Sequence, residues 1–97
     1  MIDITSLDFD ITDAIRTEIQ SMEPFLNKHI SESDRVKVRL SKASPTVFRV
    51  HMQAHYLGED IISDHESHNF HKALELCKDH FVKQVDKRRD KVKEKRG

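Results

Sequence analysis

Two stretches constrain this chain more than any other: RVKVRLS at 35–41 and VFRVHMQAHY at 47–56. Both alternate strictly. Val36, Val38 and Leu40 point one way and Arg35, Lys37 and Arg39 the other; Phe48, Val50, Met52, Ala54 and Tyr56 then oppose Arg49, His51, Gln53 and His55. A period of two is the signature of a half-buried strand, and a face carrying six cations or histidines cannot lie in a core without partners. The sheet must therefore be covered on one side only. The connecting KASPT reads as a turn, so the two strands form an antiparallel hairpin.

The remaining elements follow from this. IDIT near the start alternates as a short strand ending at about Ser6, and Thr12 offers an N-cap to a helix whose apolar residues are Ile15, Ile19, Met22 and Leu26. Pro24 lies inside that pattern and predicts a kink or an early stop near Met22. After a second turn at LGED (57–60), a weaker strand is expected around Ile61 to His65. Asn69 then caps a long helix with the stripe Phe70, Ala73, Leu74, Cys77, Phe81 and Val85. The order is βαβββα. A helix joining the first two strands favours parallel pairing there, while tight turns make the later strands antiparallel. An α+β fold is expected, a four-stranded mixed sheet with two helices packed on one face.

Ninety-seven residues make a single domain, 1–97. The 17 basic and 17 acidic side chains cancel, which argues against a uniformly basic nucleic-acid binder. Their distribution is uneven. Residues 83–97 hold eight Lys/Arg against Asp86, Asp90 and Glu94, a net of +5, and leave the rest of the chain at −5. One cysteine, Cys77, excludes an internal disulfide and falls on the apolar stripe as inert packing. No stretch approaches the roughly twenty apolar residues of a membrane span, so a cytoplasmic protein with no membrane partner is expected.

Past Val85 the apolar stripe ends. Arg88 and Lys95 continue it, so the helix is expected to leave a core of about 1–85 and to protrude over 86–97, roughly 16 Å at 1.5 Å per residue. Lys83, Lys87, Lys91 and Lys95 recur every four residues on this helix. Each like-charged pair at that spacing costs about 0.2–0.5 kcal/mol. Two readings compete. In one the end is a solvated helix in which Asp86 pairs with Arg89 and Asp90 with Lys93; in the other the lysine ridge meets a row of phosphates whose charge relieves the repulsion.

The two ends of the chain favour the second reading. IDITSLDFDIT-DAIR and NFHKALELCKDHFVKQVDKRRDK resemble the corresponding stretches of the ribosome hibernation-promoting factor family, also called ribosome-associated inhibitors or sigma-54 modulation proteins. The matching positions include Ala73, Leu74, Leu76, Asp79, Phe81, Lys83, Gln84 and Lys87. The resemblance covers essentially the whole chain and implies a fold similar to double-stranded-RNA-binding domains. It also implies a partner, the small ribosomal subunit, contacted through its ribosomal RNA at the decoding channel so that messenger and transfer RNA are excluded in stasis. Steric inhibition of this kind needs no enzyme chemistry, cofactor or small-molecule substrate. A short member without a dimerisation domain is expected to be a monomer when free. Ser6, Leu7 and His71 depart from the family pattern, and the acidic first helix with Asp13, Glu18 and Glu23 points RNA contact toward the second helix.

The expected RNA-binding residues are thus Lys83 and Lys87 by matching position, with Arg88, Lys91 and Lys95 from the ridge. Arg16 and Lys28 on the first helix and Lys37 and Arg39 on the second strand are secondary, because Asp3 is placed to neutralise Lys37 or Arg39 across the sheet. Gln84 is expected to bond sheet-edge or loop backbone. Asp64, His65, His68 and His71 are spaced too loosely for a metal site, and no nucleophile motif or phosphate loop is present. The competing function is a protein-interaction module that uses the acidic body or the basic tail.

Overall fold

The computed structural model describes residues 2–7, 10–30 and 35–96, with residues 92–96 described by their backbone alone. Its elements are β1 (Ile2–Ser6), α1 (Asp13–Gln20), α2 (Glu23–Leu26), β2 (Val36–Ser44), β3 (Val47–Tyr56), β4 (Glu59–Ser67) and α3 (Phe70–Arg96). The sheet order is β1-β2-β3-β4. β1 runs parallel to β2 with Ile4 opposite Val38, whereas β3 is antiparallel to both neighbours, with Val38 opposite Met52 and Met52 opposite Ser63. The βαβββα order and the one-sided sheet agree with the alternation in the sequence.

The first helix is broken where Pro24 demands it. Thr12 caps α1 by accepting the Ile15 amide at 3.2 Å, and Ser21 ends it with its hydroxyl on the Glu18 carbonyl at 2.6 Å. Pro24 then sits in the first turn of α2, where a missing N–H removes no helical bond. The apolar spacing survives the break, so Ile19, Met22 and Leu26 all enter the core.

The strands are longer and the turns tighter than expected. β2 continues to Ser44 through a register shift between Lys42 and Ser44, which leaves only Pro45 and Thr46 in the turn. At the next hairpin Tyr56 pairs with Glu59, so Leu57 and Gly58 alone form the loop. Both have positive φ, 50° and 81°. That pairing of angles in a two-residue loop belongs to a type I′ turn, whose twist matches that of the flanking strands.

Ile19 and Leu26 from the first layer, Val38, Leu40, Val50 and Met52 from the sheet, and Phe81 from α3 fill the centre. Truncating Phe81 would remove the largest fully buried side chain and cost about 3–5 kcal/mol. Val82 is buried as well, although it lies off the main stripe. Both flanks of α3 are covered, so its buried face is wider than the sheet-facing positions require.

Candidate nucleic-acid interface

α3 has 27 residues, about 40 Å of helix, in a molecule whose extents are 49 × 22 × 18 Å. Its direction is fixed by polar contacts along both flanks. On the β4 side, Ser63 donates its hydroxyl to the Cys77 carbonyl at 2.9 Å and the Cys77 thiol returns a bond to the Ser63 carbonyl at 3.4 Å. One turn further His80 meets His65, then the Gln84 amide donates to the Ile62 carbonyl at 2.6 Å. Arg88 closes the row by donating to the Leu57 carbonyl at 3.2 and 2.7 Å and reaching Glu59 at 3.2 Å. Asn69 caps the helix by accepting the Lys72 amide at 3.1 Å.

The opposite flank faces the first helical layer. His71 bonds to Glu18, Lys78 lies 5.0 Å over the Phe25 ring, and Asp86 accepts from His29 and Arg89, each at 2.9 Å. The Asp86–Arg89 pair of the solvated-end reading is therefore formed. Its companion, Asp90–Lys93, lies outside the described side chains.

With both flanks occupied, the outward surface of α3 beyond Val82 carries Lys83, Lys87 and Lys91, with Asp86 and Asp90 beside them. All three are exposed, and among the described residues none has a carboxylate within ion-pair distance. Successive lysines are displaced by about 6 Å along the axis. Lys87 and Lys91 also edge a shallow groove shared with Glu59, Asp60, Gln84 and Arg88. The side chain of Lys95 lies outside the described residues. Arg88 is placed differently from its lysine neighbours, because its guanidinium turns back onto the β3–β4 hairpin. Contacts with the body thus persist one turn beyond Val85, the last buried residue of the helix among the described side chains.

The secondary candidates lie elsewhere. Lys37 and Arg39 stand on the open face of the sheet, where Asp3, Thr5, His51 and Gln53 complete a hollow of about 280 Å³. Asp3 does not neutralise them as expected: its carboxylate takes Arg35 at 3.3 Å, one position earlier on the same face. Lys37 and Arg39 have no ion pair among the described residues. Since α3 covers the other face, the structure does not bring this pair together with the lysine ridge. Arg16 and Lys28 are exposed on α1 and just after α2, and neither has an ion-pair partner among the described residues.

Next to the hollow, Asp64 accepts from Arg49 at 2.9 and 3.1 Å and from His51 at 3.0 Å. Partial burial works to raise its carboxyl, but the hydrogen bonds of Arg49 and His51 and their charges outweigh it and hold Asp64 below its ordinary value. Arg49 is correspondingly raised by the same bond. The remaining histidines of the Asp64/His65/His68/His71 group diverge, with His68 on the Thr46 carbonyl and His71 on Glu18.

Sequence reasoning anticipated Gln84 but not its row. The spacing Cys77, His80, Gln84, Arg88 is itself a helical stripe of polar and small groups, and it was the available signal for a flank packed on strand backbone.

Comparison with known proteins bears on what this surface is for. A search of curated protein sequences gives no match. Among solved structures, the N-terminal domain of Protein Y from Thermus thermophilus superposes with a TM-score of 0.77 at 22% identity, over 88% of this chain and 93% of that one. A ribosomal subunit interface protein from Coxiella burnetii gives a TM-score of 0.73 at 19% identity, over 92% and 97%. The family model described as sigma 54 modulation protein / S30EA ribosomal protein matches residues 2–93. A match over that span leaves only the extreme ends of the chain outside it, and the chain belongs to the sigma 54 modulation protein / S30EA ribosomal protein family.

Proposed function

We propose that this protein is a ribosome hibernation factor that docks on the small ribosomal subunit through ribosomal RNA at the decoding channel. Bound there, it would exclude messenger and transfer RNA and silence translation in stasis, with no bond made or broken. Family membership supports ribosome association, and one of the superposing structures is itself named as a ribosomal subunit interface protein.

The observation that carries the reading is the unpartnered ridge of Lys83, Lys87 and Lys91 on an outward helix face. The fold holds α3 on both flanks and, among the described residues, gives these three ammonium groups no carboxylate within ion-pair distance, so their repulsion is relieved by an external anion. A polyanionic backbone satisfies that requirement and gains from counterion release. Arg88 serves this surface by holding the helix, and Lys37 and Arg39 would meet a separate RNA segment on the other side of the sheet.

The test is co-sedimentation with small subunits across a salt series. Four to six phosphate contacts predict a log–log slope of about −3 to −5. Replacing Lys83, Lys87 and Lys91 together by Glu should abolish co-sedimentation while the circular dichroism stays native. Undiminished co-sedimentation of that variant would remove the ridge from the interface. Partners that survive nuclease digestion would instead favour a protein-interaction module.

A further inference from the structure

We infer that His65 on β4 and His80 on α3 form a two-imidazole clamp for a late first-row divalent cation of the zinc, nickel and copper class. The two rings approach through His65 Nε2 and His80 Nδ1, 3.3 Å apart, with ring centres at 5.3 Å and planes at 79°.

The separation is the first argument. Two nitrogens each about 2.0–2.1 Å from one tetrahedral ion lie about 3.3–3.4 Å apart. A hydrogen bond between the same atoms would be long, since N–H donors ordinarily sit about 2.7–3.2 Å from their acceptors. The ring centres add to this. A bond running straight along both ring axes would place them farther apart than 5.3 Å, so at least one axis is bent off the N···N line, as a lone pair aimed at a point beside that line requires.

Preorganisation is the second argument. The strand and helix that carry the rings are pinned two and three residues earlier by the reciprocal Ser63–Cys77 bonds, and again beyond by Gln84 on Ile62. Bringing the ligands together therefore needs no movement of backbone. Imidazole nitrogen suits zinc, copper and nickel and discriminates against magnesium and calcium, which take oxygen. Among the described residues no three His, Cys, Asp or Glu side chains converge, so the protein supplies two ligands and leaves the remaining positions to water or to oxygen donors of a bound partner. Both rings are accessible at the surface, which allows such exchange.

Zinc chloride titrated into the full chain by calorimetry should give saturable one-to-one uptake. His65→Ala and His80→Ala should each weaken it at least tenfold, while His68→Ala, whose ring bonds the Thr46 carbonyl, should leave it unchanged. Zinc should also raise the thermal midpoint of the native chain but of neither weakened variant, because the ion ties β4 to α3 in the folded state alone. Cupric ion bound to the unaltered chain should show two nitrogen ligands by electron paramagnetic resonance, a reading that does not depend on the variants folding. No uptake by the native chain, uptake that survives loss of either histidine, or a copper spectrum without two nitrogens would each overturn the clamp.

Discussion

Arg88 holds the carbonyl of Leu57 with two N–H donors, at 3.2 and 2.7 Å, across a sequence separation of 31 residues. Leu57 is the one described non-glycine residue with a positive φ, 50°, in a conformation that costs an L-residue about 1–2 kcal/mol. The guanidinium therefore braces the most strained turn of the sheet and, through it, fixes where α3 leaves the body. Gly58 completes the turn at φ 81°, with an Arg88 nitrogen 3.8 Å from where a Cβ would stand.

Removing this brace should be felt in stability. Arg88→Ala loses a charge-assisted bond to backbone and a half-exposed pair with Glu59, which together predict a loss of about 1–3 kcal/mol. Arg88→Lys, with one compact donor group, should recover only part of it. Urea midpoints of the three proteins check the order, and an Arg88→Ala variant as stable as the native chain would show that the hairpin stands without the brace.

Acid should weaken the fold through Asp64. Its folded value is depressed below the ordinary 3.8, so the carboxylate stabilises the native state fully at pH values above that figure. The contribution falls away as pH drops through 3.8 and then through the lower folded value, where both states are protonated. Asp64→Asn should be less stable than the native chain at neutral pH and should flatten that part of the acid limb. Denaturant titrations between pH 2 and 6 measure both, and an unchanged acid limb in the variant would mean that Arg49 and His51 do not hold the carboxylate.

These contacts also mark how far the sequence could be read. The period-two runs, the Thr12 and Asn69 caps and the break at Pro24 are local, and local chemistry decides them, so the fold and its open basic face were legible. The Lys83/Lys87/Lys91 surface was legible for the same reason, since helical spacing alone sets it. Pairings made by tertiary register were not. Asp3 lies directly across from Lys37 but reaches diagonally to Arg35, and His80 meets His65 only because β4 slides past α3 in one particular offset. Arg88 looked like a further cation of the ridge because the hairpin that captures it is distant in sequence.

Cys77 should be silent to thiol reagents in the folded protein. Burial pushes its thiol up to about 11 from an ordinary 9.0, against the opposing effect of hydrogen bonds from the Ser63 side chain and the Met52 backbone. Near neutral pH almost no thiolate is present, and the sulfur is closed to solvent. Disulfide-exchange reagents should therefore react at a rate that tracks unfolding and that rises with denaturant. Rapid labelling of the native chain at pH 7.5 would contradict the packing of α3 on β4.

The outward lysines and the inward arginine separate cleanly in the salt dependence of ribosome binding. If Lys87 neutralises one phosphate, Lys87→Gln should lower the magnitude of the log–log slope by about 0.7–0.9, the increment expected for one released counterion. Arg88→Gln should leave the slope unchanged, because the guanidinium it removes is committed to Leu57 and Glu59, whatever it does to stability. Lys37→Gln on the open sheet face distinguishes one interface from two: an equal reduction means RNA reaches both sides of the sheet, and no change confines contact to α3. An Arg88→Gln slope that falls as far as that of Lys87→Gln would place the guanidinium on phosphate in the bound state and require the hairpin contact to break on docking.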